Sequence, residues 1–415
     1  MTIFGQAGVF GALSYRNYRY LWLSTLGTST VVAVEQVVLG WFILQLTNSP
    51  AMVGGIAAAR FAGMGLAPFG GALADRFNRR NILFVLQISG VLYTAIFILL
   101  YYTELLRIWH VFAVALFSGT VRGFDHTTRQ TITPDLVESL HLTNAAGLIM
   151  VSQGLTAVIG ALAGGYLFNF VGIGGCFAVM TGAFLFAGLA LMPIHTKRER
   201  SVSLQTSVWR SMFEGGSYIV SDRGLSALIL LAAIANLFAF PCTIGIMPVF
   251  ARNVLHVSAE GLGLIMAAEG LGVLFGALIF SASGQFKYKG WLLVGVALAW
   301  PGLLAIFSLL NSMPMALVII ALAGVVRGMD MALIQILLLN WSDTALRGRV
   351  MGVRMFVIIT LMIGNFLSGL GAEHWGSAMV MFVNASASIL TTLATVVWAP
   401  DLHRRPEQAQ VLAAR

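Results

Sequence analysis

Two carboxylates, Glu35 and Glu269, stand inside long apolar stretches, as do three arginines, Arg60, Arg122 and Arg327. A charge at the centre of a bilayer costs on the order of 2.5–3.5 kcal/mol or more, so each needs a partner or a function. The chemistry open to a buried carboxylate is reversible protonation. Low dielectric favours its neutral form, so it can collect a proton on one side of a membrane and release it on the other. Depth follows from about 1.5 Å of rise per helical residue. Glu35 lies roughly 24 Å above an inner interface marked by Arg19, and Arg60 roughly 15 Å below an outer one. In a hydrocarbon core about 30 Å thick the two can meet in the outer half, as a structural ion pair or as a proton-coupling pair. Glu269 falls near the midplane with no obvious basic partner at its depth. That makes it the better titrating candidate; the other reading has it facing a water-filled cavity without coupling. Arg122 and Arg327 each precede an aspartate, Asp125 or Asp330, by three residues on one helix face, a spacing that allows a local pair.

The elements that must hold these groups are membrane helices. Of the 415 residues 58% are hydrophobic and 10% charged, with mean hydropathy +0.88, whereas about a quarter of a soluble domain is charged. Stretches of about 20 or more mainly apolar residues, each enough to span a bilayer, run roughly over 19–46, 50–74, 82–103, 108–130, 143–169, 173–194, 225–251, 258–283, 288–310, 314–340, 350–372 and 377–399. They are too long and too continuous for the alternating strands of a membrane barrel. The expected fold class is all-α integral membrane, with twelve transmembrane helices. Residues 1–18 carry Arg16 and lead straight into the first span, so no cleavable signal is expected. Cys176 and Cys242 fall within spans and read as packing residues; no disulfide or metal site is expected.

The net charge of +8 is a topology signal. With the N-terminus inside, the outer loops hold only Arg107 and Arg252, and all other Lys and Arg outside the spans, Arg129 and the Lys197–Arg200 cluster included, fall on the cytoplasmic side. Both termini are therefore expected in the cytoplasm of a cell (inner) membrane. The partners are the lipid bilayer and a small-molecule substrate, with no nucleic acid.

The chain reads as duplicated. Gly119-Thr-Val-Arg122-Gly-Phe-Asp125 recurs as Gly324-Val-Val-Arg327-Gly-Met-Asp330, and the same offset carries Gly71-Ala-Leu onto Gly276-Ala-Leu. Two pseudo-symmetric six-helix bundles follow, residues 1–194 and 224–400. An even number of helices gives both the same orientation, with a solute site expected between them near the midplane. Residues 195–223 form a cytoplasmic linker in which Val208, Trp209, Met212, Phe213, Ile219 and Val220 recur at helical spacing. That marks an amphipathic helix along the inner surface, an ordinary flexible linker being the alternative. Residues 401–415 form a cytoplasmic tail.

The stretch Gly71-Ala-Leu-Ala-Asp75-Arg76-Phe-Asn-Arg79-Arg80-Asn81 lies at the cytoplasmic turn between the second and third spans. It resembles the signature of the major facilitator superfamily. Leu39-Gly-Trp-Phe42, Leu46-Thr-Asn-Ser-Pro50, Asp125 to Arg129 and Pro134-Asp-Leu-Val137 resemble its bacterial drug and siderophore exporters, the enterobactin exporter group. Gly160-Ala-Leu-Ala-Gly-Gly165 is similar to an exporter motif, with Ala161 in place of the usual proline. The resemblance implies a cytoplasmic gate of Gly71, Asp75, Arg76, Arg79, Arg80 and Asp125, joined by Arg347, Arg349 and Arg354 through Asp75. It implies a proton-transfer role for Arg122 beside Glu35, Arg60 and Glu269. The second copy continues Gly276-Ala-Leu with Ile279-Phe-Ser281 and has no acid, which puts the main latch in the first half.

Gln36, Gln153, Asn236, Phe238, Gln335 and Asn365 fall within spans as substrate-cavity candidates, interhelical hydrogen bonds being the alternative for the polar ones. Pro241 and Pro248 are expected to kink the seventh span. No P-loop, H-E-x-x-H, paired-Cys or G-x-S-x-G motif occurs, so no enzyme activity, cofactor or direct use of ATP is expected. The expected function is proton-coupled export of a small amphipathic compound (drug, xenobiotic or siderophore) by a monomer working through alternating access. The alternatives are an importer or uniporter of a metabolite, a lysophospholipid flippase, and a non-transporting membrane assembly or sensory protein.

Overall fold

The computed structural model describes residues 10–195, 208–282 and 289–404; Lys197, Arg198, Arg200 and Lys287 lie outside the described residues. Among the described residues all regular structure is helical: α1 (Arg16–Thr47), α2 (Pro50–Met64), α3 (Ala67–Arg76), α4 (Arg79–Tyr102), α5 (Ile108–Leu136) and α6 (Leu142–Leu191) come first. Then follow α7 (Val208–Ser221), α8 (Arg223–Ile234), α9 (Phe240–Thr243), α10 (Met247–Asn253), α11 (Ala259–Ala282), α12 (Lys289–Ser308), α13 (Met313–Trp341), α14 (Arg347–Phe356), α15 (Ile358–Trp375), α16 (Ser377–Trp398) and α17 (Asp401–Arg404).

Among the described residues, ten helices are long and apolar enough to cross a membrane. Two features separate that number from the twelve stretches read in the sequence. The 50 residues of α6 would span about 75 Å if straight, far more than a bilayer core. The helix is interrupted at Gly172, whose φ of 66° suits a residue without Cβ. The second feature is α5, 29 residues long but not one of the ten, because Arg122, Asp125 and Arg129 lower its hydropathy.

The break expected near Pro241 is larger than a kink. Between α8 and α9 the backbone forms a π-helical turn over Ala235–Ala239, and the helix stops again before Met247, with Pro248 in the first turn of α10. Proline cannot donate into the preceding turn, and a π-turn is one way a helix absorbs the misfit.

The fold comprises two compact units. Unit 1 holds Met1–Leu46, Ala59–Leu204 and Val257–Ala267; unit 2 holds Thr47–Ala58, Gln205–His256 and Ala268–Arg415. In unit 1, Tyr18, Leu21, Leu83, Ile132, Ala145, Leu148 and Leu191 form a buried cluster, and the Tyr18 hydroxyl donates to the Ala145 carbonyl at 2.7 Å. In unit 2 the corresponding cluster centres on Leu225, Leu228, Leu293, Leu333, Leu337, Trp341 and Val350. Phe170 and Val397 are 76% and 83% exposed, and many other large apolar side chains join them. Such a surface is stable only against lipid.

Glycines let the helices approach closely. A Cβ at Gly119 would overlap the Arg60 carbonyl oxygen, and one at Gly324 would overlap that of Glu269. The first glycine of each copy of the repeated motif therefore seats its helix on the backbone of a charged residue. Gly160, Gly164 and Gly165 of the exporter-like stretch pack on Ala33, on Val34 and on the Ala259 carbonyl, where a Cβ at Gly165 would lie 2.5 Å away.

The linker helix α7 buries Ile219 and exposes Phe213 and Val220, an amphipathic division. Within unit 2 it rests on α14, with Glu214 paired to Arg349 at 2.9 Å and Gly215 against the Arg349 backbone.

Also within unit 2, the Glu373 carboxylate at the end of α15 accepts from Ser49 Oγ at 2.7 Å and from the Ala51 amide at 3.0 Å. It serves the open first turn of α2 from a distant part of the chain and places a negative charge at a helix N-terminus. Glu373→Ala is expected to lower stability by about 1 kcal/mol, the scale of a lost helix cap. Thermal unfolding of the purified protein checks this, and Glu373→Asp should fall between the variant and the parent.

Candidate functional site

In unit 1, α1 carries Glu35 and α2 carries Arg60, both buried. Arg60 Nε lies 3.8 Å from Glu35 Oε1, and the Arg60 guanidinium also donates to the Val32 carbonyl at 3.2 Å. The Ser118 hydroxyl on α5 donates to Glu35 Oε1 at 2.6 Å. Three helices thus converge on one carboxylate, as a buried charge requires. Arg122, one turn beyond Ser118, is within electrostatic reach of Arg60 and Glu35.

A second buried network lies further along α5. Arg129 donates from Nε to Asp125 Oδ2 at 2.6 Å and reaches Ser24 Oγ, Thr25 Oγ1 and Thr28 Oγ1 of α1 at 3.0–3.1 Å. Gln87 of α4 donates to Asp125 Oδ1 at 2.9 Å. This corrects two expectations. Arg129 belongs to the buried interior, not to a cytoplasmic segment, because α5 continues past it to Leu136 and α1 offers it a row of hydroxyls. Asp125 is satisfied by Arg129 and Gln87, not by the basic turn after α3 or by Arg122. The hydroxyl row at Ser24, Thr25 and Thr28 is the sequence signal that reading missed.

In that turn, Arg79 pairs with Asp135 at 2.5 Å and donates to the Thr131 carbonyl at 3.0 Å. Arg80 donates to the carbonyls of Leu191 and Met192 at 3.2 and 2.9 Å. Arg76 is exposed, and the side chain of Asp75 lies outside the described residues. A Cβ at Gly71 would meet nothing within 4 Å. The basic turn is therefore tied to the ends of α5 and α6.

In unit 2, Glu269 on α11 accepts a short, charged hydrogen bond from Arg327 on α13. This corrects the reading that Glu269 lacks a basic partner. Seating Gly324 on the Glu269 backbone brings α13 close enough for Arg327, one turn on, to reach the carboxylate. The Arg327 guanidinium also lies 4.7 Å from the centre of the Phe240 ring and 5.9 Å from that of Trp300, a cation–π arrangement that offsets part of its desolvation. Phe240 follows the π-turn, whose irregularity points its ring at Arg327.

The cavity candidates scatter. Asn236, in the π-turn, donates to the Val357 carbonyl at 3.2 Å, and Phe238 beside it is half-buried. Asn365 is fully buried and donates to the Leu361 carbonyl at 2.7 Å. Gln36 is half-buried, while Gln153 and Gln335 are exposed. The arrangement assembles ion pairs inside apolar helices, in each unit by itself. Each pair holds an arginine against a carboxylate in apolar surroundings.

A family model described as transmembrane secretion effector matches residues 7–410. Macrolide efflux protein A of Streptococcus pyogenes is 22% identical over 312 residues, which cover 70% of this chain and 75% of that protein. The enterobactin exporter EntS of Escherichia coli O9:H4 (strain HS) is 25% identical over 418 residues, covering 94% and 92%. Among solved structures, the nucleoside transporter NupG is similar with a TM-score of 0.69 and 13% identity over 92% of this chain and 98% of that one, a likeness of fold.

Proposed function

The chain belongs to the major facilitator superfamily, to its transmembrane secretion effector family, and from that premise we propose that it exports a small amphipathic compound in exchange for protons. It is a multi-pass membrane transporter of a small molecule and not an enzyme. Our reading adds twelve spanning helices in two six-helix halves, with α6 counted as two spans divided at Gly172 and α5 as one more. The halves are residues 1–194 and 224–400, joined by the linker 195–223 and followed by the tail 401–415. Both termini face the cytoplasm of the inner membrane, and the monomer works by alternating access.

The observation that carries the coupling is the Glu269–Arg327 pair. A carboxylate this deep is stable either charged beside its arginine or neutral with a proton. Protonation from the outside frees Arg327; loss of the proton inside restores the pair. Glu35 with Arg60 forms a second such pair, with Arg122 close by. Gly71, Asp75, Arg76, Arg79 and Arg80 make up the cytoplasmic gate, and Gln36, Gln153, Asn236, Phe238 and Gln335 contribute to the substrate path. The names of the relatives direct the substrate search to drugs and siderophores.

Inside-out vesicles containing the protein test this reading with a labelled macrolide and with enterobactin. An imposed gradient, acidic in the lumen, should drive accumulation that a protonophore collapses. Accumulation insensitive to the gradient sinks proton coupling, and gradient-driven movement in the opposite sense makes the protein an importer.

A further inference from the structure

Four carboxylates are buried among the described residues: Glu35, Asp125, Glu269 and Asp330. The first three each have an arginine, Arg60, Arg129 and Arg327 respectively. Asp330 is 3% exposed, and its Oδ1 has no hydrogen-bond partner. A bare charge so placed is strongly disfavoured, so the site holds either a proton or a guest.

Its surroundings indicate which. Asp330 lines a small cavity of about 10 Å³ in unit 2, room for about one water molecule, together with Trp300, Ser388 and Thr392 and apolar residues of α8 and α12. The indole Nε1–H of Trp300 is likewise buried without an acceptor. An unpartnered acceptor and an unpartnered donor on one recess are both satisfied by a water molecule, which donates to one and accepts from the other. A metal cation would face the positive end of the indole N–H. The recess is therefore built for water and a proton.

Arg327 lies one turn before Asp330 on α13, at a spacing that lets the two side chains meet. Its Nε is also unpartnered, although its Nη1 serves Glu269. The charge acting on Asp330 in this arrangement is Arg354 of α14, while Arg327 is held on Glu269; α8, α12 and α16 bring no charge to the recess.

We propose that Asp330 is a second proton-carrying carboxylate, in a hydrated recess of unit 2, and that Arg327 alternates between Glu269 and Asp330. When a proton binds Glu269, an O–H bond forms there and the Arg327 hydrogen bond is released. Arg327 turns to Asp330, whose O–H bond breaks, and that proton leaves to water in the recess. The group of one guanidinium and two carboxyls holds one carboxyl proton and no net charge in either state. The exchange deepens the coupling reading above, and its role in transport rests on that reading.

Infrared difference spectroscopy of the full-length protein in lipid vesicles tests the exchange without a substrate. At neutral pH one buried carboxylic-acid band, shifted in D₂O, is expected. Asp330→Asn should delete it. Glu269→Gln should delete it too, because the freed Arg327 moves onto Asp330 and displaces its proton. Persistence of the band in Asp330→Asn, or in Glu269→Gln, overturns the proposal. If Asp330→Asn fails to fold, Trp300→Phe serves instead: it should shift the band, and an unshifted band is equally fatal. Vesicle flux that ignores the pH gradient while these bands behave as stated would refute proton-driven export and leave the exchange standing.

Discussion

Glu269→Gln is expected to reduce pH-gradient-driven solute movement to the background of protein-free vesicles. Glutamine fills the same space but cannot be ionised, so the pair loses its two-state character. Stability should respond differently along the series. Glu269→Ala leaves a buried guanidinium without its partner and should cost about 3–5 kcal/mol. Glu269→Gln should cost less, because it keeps the buried volume that alanine leaves empty. The double variant Glu269→Gln/Arg327→Gln removes both charges and should recover most of the loss in thermal stability while recovering none of the flux. Flux that survives in Glu269→Gln would move the coupling to Glu35.

Gly119→Leu is expected to be the most disruptive single change at a glycine, costing about 3 kcal/mol or more. The Cβ alone would occupy the space of the Arg60 carbonyl oxygen, and backbone cannot step aside as a flexible side chain can. Forcing α2 and α5 apart also draws Arg60 away from Glu35 and Ser118. Gly71→Ala provides the contrast. Gly71 opens the family signature, yet a Cβ there meets nothing, so thermal stability should match the parent. Fluorescence-detected size exclusion after heating separates the two variants in one experiment. Equal stability for both would show that the tight approach of α2 and α5 is not what holds them together.

The membrane fold was legible because it rests on bulk properties: hydropathy, span length and the distribution of arginines. The Glu35–Arg60 meeting was legible as well, since helical rise puts both at one depth. Partners fixed by helix rotation were not. Glu269 seemed unpaired because depth alone does not say that Gly324 draws α13 against it. Asp125 seemed a gate residue because the signature's likeness carries positions but not the rotamers that send Arg129 inward. The repeat held the missing clue: its glycines, read as duplication, also mark where one helix touches the backbone of another. Asn365 illustrates the opposite limit. A polar residue within a span looks the same in sequence whether it lines a water-filled path or packs, as here, with no exposure.

The π-turn at Ala235–Ala239 has a bearing on any comparison of this chain with its relatives. A turn carrying one residue too many puts the faces of α8 and α9 out of phase by about 100°, the arc of a single helical residue. A helical wheel drawn through 225–251 is therefore two wheels misaligned, and a relative lacking the extra residue needs a one-position gap there. Without that gap, every residue beyond Ala235 would be matched to a neighbour looking in another direction.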